Sequence, residues 1–363
     1  MTSEKFFQSR TAIITLIAAC GVVLISLGIR QTFGLFFSDF KKDLGISMTE
    51  AGLAVGLQML MWGLTGPIFG AISDKYGGHK AIMLGFIFYI AGIYFLYIGP
   101  NTGLFFQLEL GVLIGIGLGA TAISIPISIV GKHFPLSNRT IAMSIVTAVG
   151  SFGFFLSPLF TNYSLKSHGW ENTLYYFGVF LLIGLIISFF VRSPSRSESP
   201  EKKNSQTTNQ ALKEAFKTKS YIFLVLGFFV CGFHITLVGT HVPQYVIDRG
   251  LEDWTAATIL SLIGLFNIFG SLLSGYLSTI IGKKIVLSAI YTLRAFSIIF
   301  FIFLPASNMT AIIFGASFGF LWLSTVPATS GIVAHLFGTK YLGLLYGLVF
   351  LSHQIGSFFG AYL

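Results

Sequence analysis

Charge is what this sequence has least of. Asp, Glu, Lys and Arg make up 10% of its 363 residues, against about 25% in a soluble domain, so the chain has too little polar surface to stand in water. Acid is scarcer than base, with 13 Asp and Glu against 22 Lys and Arg. Cysteine is nearly absent: Cys20 and Cys231 both fall within apolar runs, which excludes a disulfide framework. No phosphate-binding P-loop occurs, so ATP does not drive the protein directly, and the sequence holds no metal-ligand cluster and no cofactor signature. Gly111, Gly115, Gly117 and Gly119 are spaced glycines, but they lie inside an apolar run with no preceding strand. They read as close helix packing rather than a phosphate cradle.

What is plentiful is apolar residue: 54% of the chain, with 39 phenylalanines. Runs of about 20 such residues suffice to cross a hydrocarbon core as helix. Eleven are expected, over residues 11–37, 50–72, 81–99, 103–130, 136–162, 171–191, 219–246, 256–280, 285–304, 309–334 and 342–363. The fold class is therefore an all-α polytopic membrane protein. Residues 16–21 look like a lipoprotein processing site, but the apolar run continues past Cys20 and reads better as a first membrane helix. Residues 193–218 form a polar, Ser- and Pro-rich linker, with a short amphipathic helix expected near Leu212–Phe216. It separates an N-terminal six-helix half, 1–192, from a C-terminal half, 219–363, in which five spans are seen.

The basic residues orient the chain. With the N-terminus inside, the cytoplasmic segments hold Lys5, Arg10, Lys75, Lys80, Lys132, Arg139, seven residues around the linker, Lys283, Lys284 and Lys340. The outer loops hold Lys41, Lys42, Lys166 and Arg249, and only Arg30 and Arg294 lie within spans. This asymmetry puts the N-terminus and linker in the cytoplasm, with a bacterial inner membrane as the expected location. The positive charge thus belongs to membrane topology, and nucleic acid is not an expected partner.

The halves also repeat. Gly70-Ala-Ile-Ser-Asp-Lys-Tyr-Gly77 matches Gly275-Tyr-Leu-Ser-Thr-Ile-Ile-Gly282 at an offset of 205 residues. A second echo pairs Val130-Gly-Lys-His-Phe134 and Gly150-Ser-Phe-Gly153 with Val333-Ala-His-Leu-Phe337 and Gly356-Ser-Phe-Phe359. Parallel repeats joined by a polar linker are the pattern of an alternating-access carrier. Two six-helix repeats require twelve spans, so a twelfth helix is expected to be missing from this chain.

Residues 70–80 resemble the loop motif of the major facilitator superfamily, with Gly70, Asp74, Lys75, Gly77 and Lys80 in register and Gly78 and His79 departing from its basic run. The resemblance implies the major facilitator fold and a gate role for this loop. The segments Lys132–Met143, Cys231–Pro243 and Leu351–Phe358 resemble a bacterial monocarboxylate-permease-like branch. That implies a proton-coupled carrier of a small organic anion, working as a monomer in the lipid bilayer. Spans one, four, seven and ten are then expected to line a central cavity.

Candidate site residues follow from the cost of polar groups in lipid. Arg30 and Glu109 lie about 9 and 12 Å outside the midplanes of spans one and four at 1.5 Å per residue, and an ion pair between them is expected. Glu109 or a histidine is the expected proton acceptor. His234 and His241, seven residues apart, share a helix face, and His353-Gln354 sits mid-span. Gln58 and Trp62, Asn267, and Trp322 with Thr325 are orienting candidates, with helix packing as the plainer reading of each. Arg294 falls mid-span with no acid in the second-half spans, and its role is open. Span eight carries no basic residue, which leaves Arg30 to meet an anion. Efflux of an amphipathic or drug-like compound, uptake of a neutral metabolite or vitamin, and a non-transporting sensor or scaffold remain the alternatives.

Overall fold

The computed structural model describes residues 10–99, 102–134, 136–192, 208–337 and 342–362, and every regular element among them is a helix. In chain order these are α1 (Arg10–Gln31), a 3-10 turn (Phe33–Phe36), α2 (Phe37–Leu44), α3 (Met48–Tyr76) and α4 (Gly78–Ile98). Then come α5 (Gly103–Phe106), a π-helical segment (Gln107–Leu113), α6 (Ile114–Thr121), α7 (Ser124–His133) and α8 (Leu136–Ser188). After the linker come α9 (Thr208–Lys217), α10 (Lys219–Asp248), α11 (Asp253–Leu277), a second π segment (Ser278–Gly282) and α12 (Lys283–Phe303). The chain closes with α13 (Asn308–Leu321), α14 (Thr325–Phe337) and α15 (Leu342–Tyr362). The helix expected near Leu212–Phe216 is α9, and it seats Ala211 and Ala215 while leaving Phe216 exposed.

Eight of the described stretches are long and apolar enough to cross a bilayer, where the sequence suggested eleven. Part of the difference has a local cause. A straight helix of α8's 53 residues would run about 80 Å, but Gly169, at φ 79° and ψ 171°, breaks it. The two arms fold back on each other: Ser164 and Thr173 share a hydrogen bond of 2.8 Å, and the Phe160 and Phe180 rings stand 5.3 Å apart. The α13–α14 helix is interrupted at residues 322–324, and α15 carries the polar run Ser352-His353-Gln354 at its centre.

Both interruptions within the helical stretches have the same cause. Ala122 and Trp322 take ψ of −81° and −78°, four and five residues ahead of Pro126 and Pro327. A proline offers no N–H to the carbonyl four residues back, which is Ala122 for Pro126 and Leu323 for Pro327, so α6 and α13 stop short. The matching loops behave alike too. Gly77 and Gly282 sit at φ 100° and 92°, a region only glycine enters without strain.

Close packing within the bundle relies on small residues. Gly153 of α8 lies on the Leu24 carbonyl of α1, and Gly356 of α15 lies on the Phe229 carbonyl of α10. Gly111 and Gly115 approach Ala54 and Gln58 of α3, while Gly117 faces Gly85 of α4. The glycine run thus packs helices, as its setting suggested. A methyl group at any of these positions would push backbones apart.

The helices before and after the linker meet along two seams, α3 with α15 and α8 with α11. On α3 the contact stripe runs Gly52, Gly56, Met59, Gly63, against Ala361, Phe358 and Gln354 of α15. Its next position, Gly66, meets nothing, and neither does Gly347 on the opposing stripe of α15. The second seam repeats the pattern: Gly264 packs on Phe154 and Asn267 bonds Ser151, but Gly275 faces open space. Among the described residues the two groups therefore touch from mid-helix to the end remote from the linker, and part toward the linker end. Ser38 with Gln244 at 2.9 Å and Lys166 with Asp253 at 3.7 Å tie the far end.

Candidate substrate-binding site

The site is built outward from the last turn of α1. The Thr32 hydroxyl donates to the Ile29 carbonyl at 2.8 Å, which diverts the chain into the 3-10 turn. Gly34 then passes close to the Gly239 and Thr240 carbonyls of α10. This turn leaves Arg30 beneath the far-end closure, 9% exposed. Its guanidinium donates to Gln31 Oε1 at 3.3 Å and to the Met59 thioether at 3.1 Å, and its Nε has no acceptor. A thioether is a weak acceptor, so this buried cation is poorly satisfied.

The expected Arg30–Glu109 ion pair is not formed. Glu109 lies in the π-helical segment, and its carboxylate points to Gly99 at the end of α4, with Oε2 unpartnered. A π turn carries more residues than an α turn, so the α-helical register behind that expectation does not hold there.

Arg294, whose role the sequence left open, gives both terminal nitrogens to acceptors, while its Nε has none. It is completely buried, and one guanidinium nitrogen donates to the Leu321 and Trp322 carbonyls at 2.6 and 2.7 Å. The other donates to the Cys231 sulfur at 3.2 Å, and Cys231 pairs with the Thr325 hydroxyl at 3.3 Å. The carbonyls it takes are those stranded by the break between α13 and α14. An equivalent cluster sits in the first group: Tyr89 donates to the Ser26 carbonyl at 3.3 Å, and the Ser26 and Thr121 hydroxyls pair at 2.6 Å. Ser26, Tyr89 and Thr121 precede Cys231, Arg294 and Thr325 by 205, 205 and 204 residues.

Between these clusters, polar groups cross the seams. Gln354 donates to the Met59 carbonyl at 3.2 Å, and His353 Nδ1 shares a 2.9 Å bond with Gln354 Oε1. The His353 ring is held between Phe228 and Phe350, with centroids at 4.8 and 5.7 Å. Met59 thus touches Arg30 through its sulfur and Gln354 through its carbonyl. On the other seam, Asn267 donates to Ser151 at 2.9 Å and accepts from the Leu323 N–H at 2.9 Å, so it also covers the α13 break.

The remaining candidates divide. Gln58 donates to the Leu110 carbonyl at 3.0 Å and joins α3 to the π segment. His241 bonds the Ala361 carbonyl at 2.8 Å within the far-end closure, whereas His234 Nδ1 has no partner. Trp322 is buried against Phe318, and Trp62 stacks edge-on against Phe350 across the seam. Thr325 joins the Cys231 cluster. Where α3 passes into α4, Gly70 of α3 borders Ile125, Gly77 makes the turn and Lys80 of α4 is exposed; the side chains of Asp74 and Lys75 lie outside the described residues. Sequence reasoning passed over Gln31, Met59 and Ser151. Gln31 was visible as a second polar residue beside Arg30, but nothing in the sequence marks a methionine or a serine within an apolar span.

A helical bundle embedded in the membrane, joined along two seams at one end and carrying buried basic and amide side chains there, is the build of a solute transporter. The chain belongs to the Major Facilitator Superfamily, whose family model matches residues 19–361. It is 23% identical over 345 residues to the uncharacterized MFS-type transporter YcxA of Bacillus subtilis (strain 168), covering 92% of this chain and 82% of that one. Monocarboxylate transporter 6 of Mus musculus is 27% identical over 301 residues, covering 76% of this chain and 62% of the mouse protein. The bacterial homolog of the human lysosomal transporter Spinster, solved inward-facing and unoccupied, shares the fold. That comparison has a TM-score of 0.78 at 17% identity, with 98% of this chain and 82% of that one covered.

Proposed function

We propose that the chain is a secondary active transporter for a small organic anion, monocarboxylate-like, taken up with protons by alternating access. The observation that carries this reading is Arg30: a buried cation with no carboxylate partner, an idle Nε and a thioether where an oxygen should be. A cation in a membrane interior costs about 2.5–3.5 kcal/mol or more, and a substrate anion would relieve that cost. Relatives named as monocarboxylate transporters, and the sialic acid transporter NanX of Escherichia coli (strain K12) at 24% identity, support an acidic substrate.

The working unit is a monomer of two repeats, residues 1–192 and 219–363, joined by the linker 193–218, with eleven crossings in this chain. The matched glycine turns, proline breaks and three-residue clusters support the repeat. With the N-terminus and linker in the cytoplasm of a bacterial inner membrane, the parted end faces inward. The loop Gly70, Asp74, Lys75, Gly77 and Lys80 closes that end when the halves rock. Arg30 takes the anion, and Gln58, Asn267, Trp322 and His241 hold the walls. His353 accepts the coupling proton beside Gln354, with His234 and Glu109 as further stations. Uptake of labelled lactate and pyruvate into proteoliposomes, with and without an inward proton gradient, tests the reading. Gradient-driven accumulation is expected; no accumulation of any carboxylate overturns it.

A further inference from the structure

Gln31 is 2% exposed, and its amide nitrogen has no acceptor. Its orientation is fixed by its neighbour. A guanidinium only donates, so the Gln31 oxygen must face Arg30, at 3.3 Å, and the NH2 group must face away. Arg30 Nε and Gln31 Nε2 are thus two buried donors on adjacent residues without an acceptor among the described residues. A buried donor without a partner carries its full desolvation penalty, and two on neighbouring residues call for an acceptor supplied from outside the chain. The two residues stand at the end of α1 just under the closure made by Gly34, Gly239 and Thr240.

We infer that Gln31 is a substrate-binding residue, its free N–H donating to the same carboxylate that Arg30 binds, while the Met59 sulfur holds the guanidinium when the site is empty. This rests on the anion-transport reading and adds a residue to it. The two donors suit a planar group with two acceptor oxygens and reject a neutral solute that offers only donors. Gln31→Glu isolates the point. It preserves size and the oxygen facing Arg30, but replaces the donor with a second oxygen, so the chain supplies its own carboxylate to Arg30.

The experiment compares wild type, Gln31→Glu and Gln31→Leu in proteoliposomes over a panel of labelled carboxylates, alongside thermal unfolding in detergent. For any carboxylate the wild type carries, Gln31→Glu is expected to raise KM at least about tenfold, the equivalent of 1.4 kcal/mol. Its unfolding temperature is expected to equal or exceed that of the wild type. Gln31→Leu is expected to raise KM by a smaller factor. A KM within twofold of wild type for Gln31→Glu overturns the inference while leaving anion transport standing. A fall in unfolding temperature with unchanged KM also overturns it, since that is the result for an amide that merely holds a structural water. Failure of the wild type to carry any carboxylate removes the anion reading and this inference together.

Discussion

Two arginines are buried among the described residues, Arg30 and Arg294, and they keep different company. Arg294 gives its two terminal nitrogens to two backbone carbonyls at 2.6 and 2.7 Å and to a sulfur, and its Nε, like that of Arg30, has no partner. Arg30 has only an amide oxygen at 3.3 Å and a thioether at 3.1 Å. The first cation is consumed by the fold: it caps the Leu321 and Trp322 carbonyls at the break between α13 and α14. The second is left with weak acceptors. Burial alone therefore does not mark a functional charge in a membrane protein; the quality of its acceptors does.

Replacing Arg294 with Met should have the largest effect on folding. It strands two buried carbonyls at about 1–3 kcal/mol each, so the yield of folded protein and its unfolding temperature in detergent should both collapse, with Arg294→Lys in between. A stable, active Arg294→Met protein would erase the contrast between the two arginines. Adding a methyl at Gly264 tests the seams on which the contrast depends. Gly264→Ala would press on the backbone at Phe154 and Phe155, and overpacking costs about 1–3 kcal/mol. A cysteine introduced at Gln244 should then react several-fold faster with a membrane-impermeant maleimide, because the far-end closure opens. Asn267→Leu removes bonds to Ser151 and to the Leu323 N–H. A loss of about 1–3 kcal/mol, read as a lower unfolding temperature, is expected. Smallest of all, Lys166→Ala breaks an ion pair that is half exposed at both ends. It should change stability by under about 1 kcal/mol, and the change should vanish at high salt.

Much of the fold was legible in the sequence, because apolar length and glycine spacing act locally. The turns at Gly77 and Gly282 both take positive φ, and the glycines of α6 pack as an apolar setting requires. The site was less legible. Arg30 stands out by charge alone, but its partners come from α3 and from its own neighbour, and no spacing rule brings Met59 to it. The Glu109 pairing failed on a π turn, which shifts register without any sequence mark as plain as proline. Arg294 needed the three-dimensional position of the α13 break, since a carbonyl at a break in one helix is invisible from another. Conversely, the matching of Ser26, Tyr89 and Thr121 with Cys231, Arg294 and Thr325 was hidden because the residue types changed while the positions did not.

The most direct test replaces Arg30 with Met and follows two quantities in one preparation: carboxylate uptake into proteoliposomes and thermal unfolding. If Arg30 is reserved for substrate, uptake falls to the background of empty liposomes while the unfolding temperature holds or rises, since a poorly satisfied buried cation has been removed. Wild-type uptake by Arg30→Met would contradict the account, as would an unfolding temperature that drops as far as that of Arg294→Met.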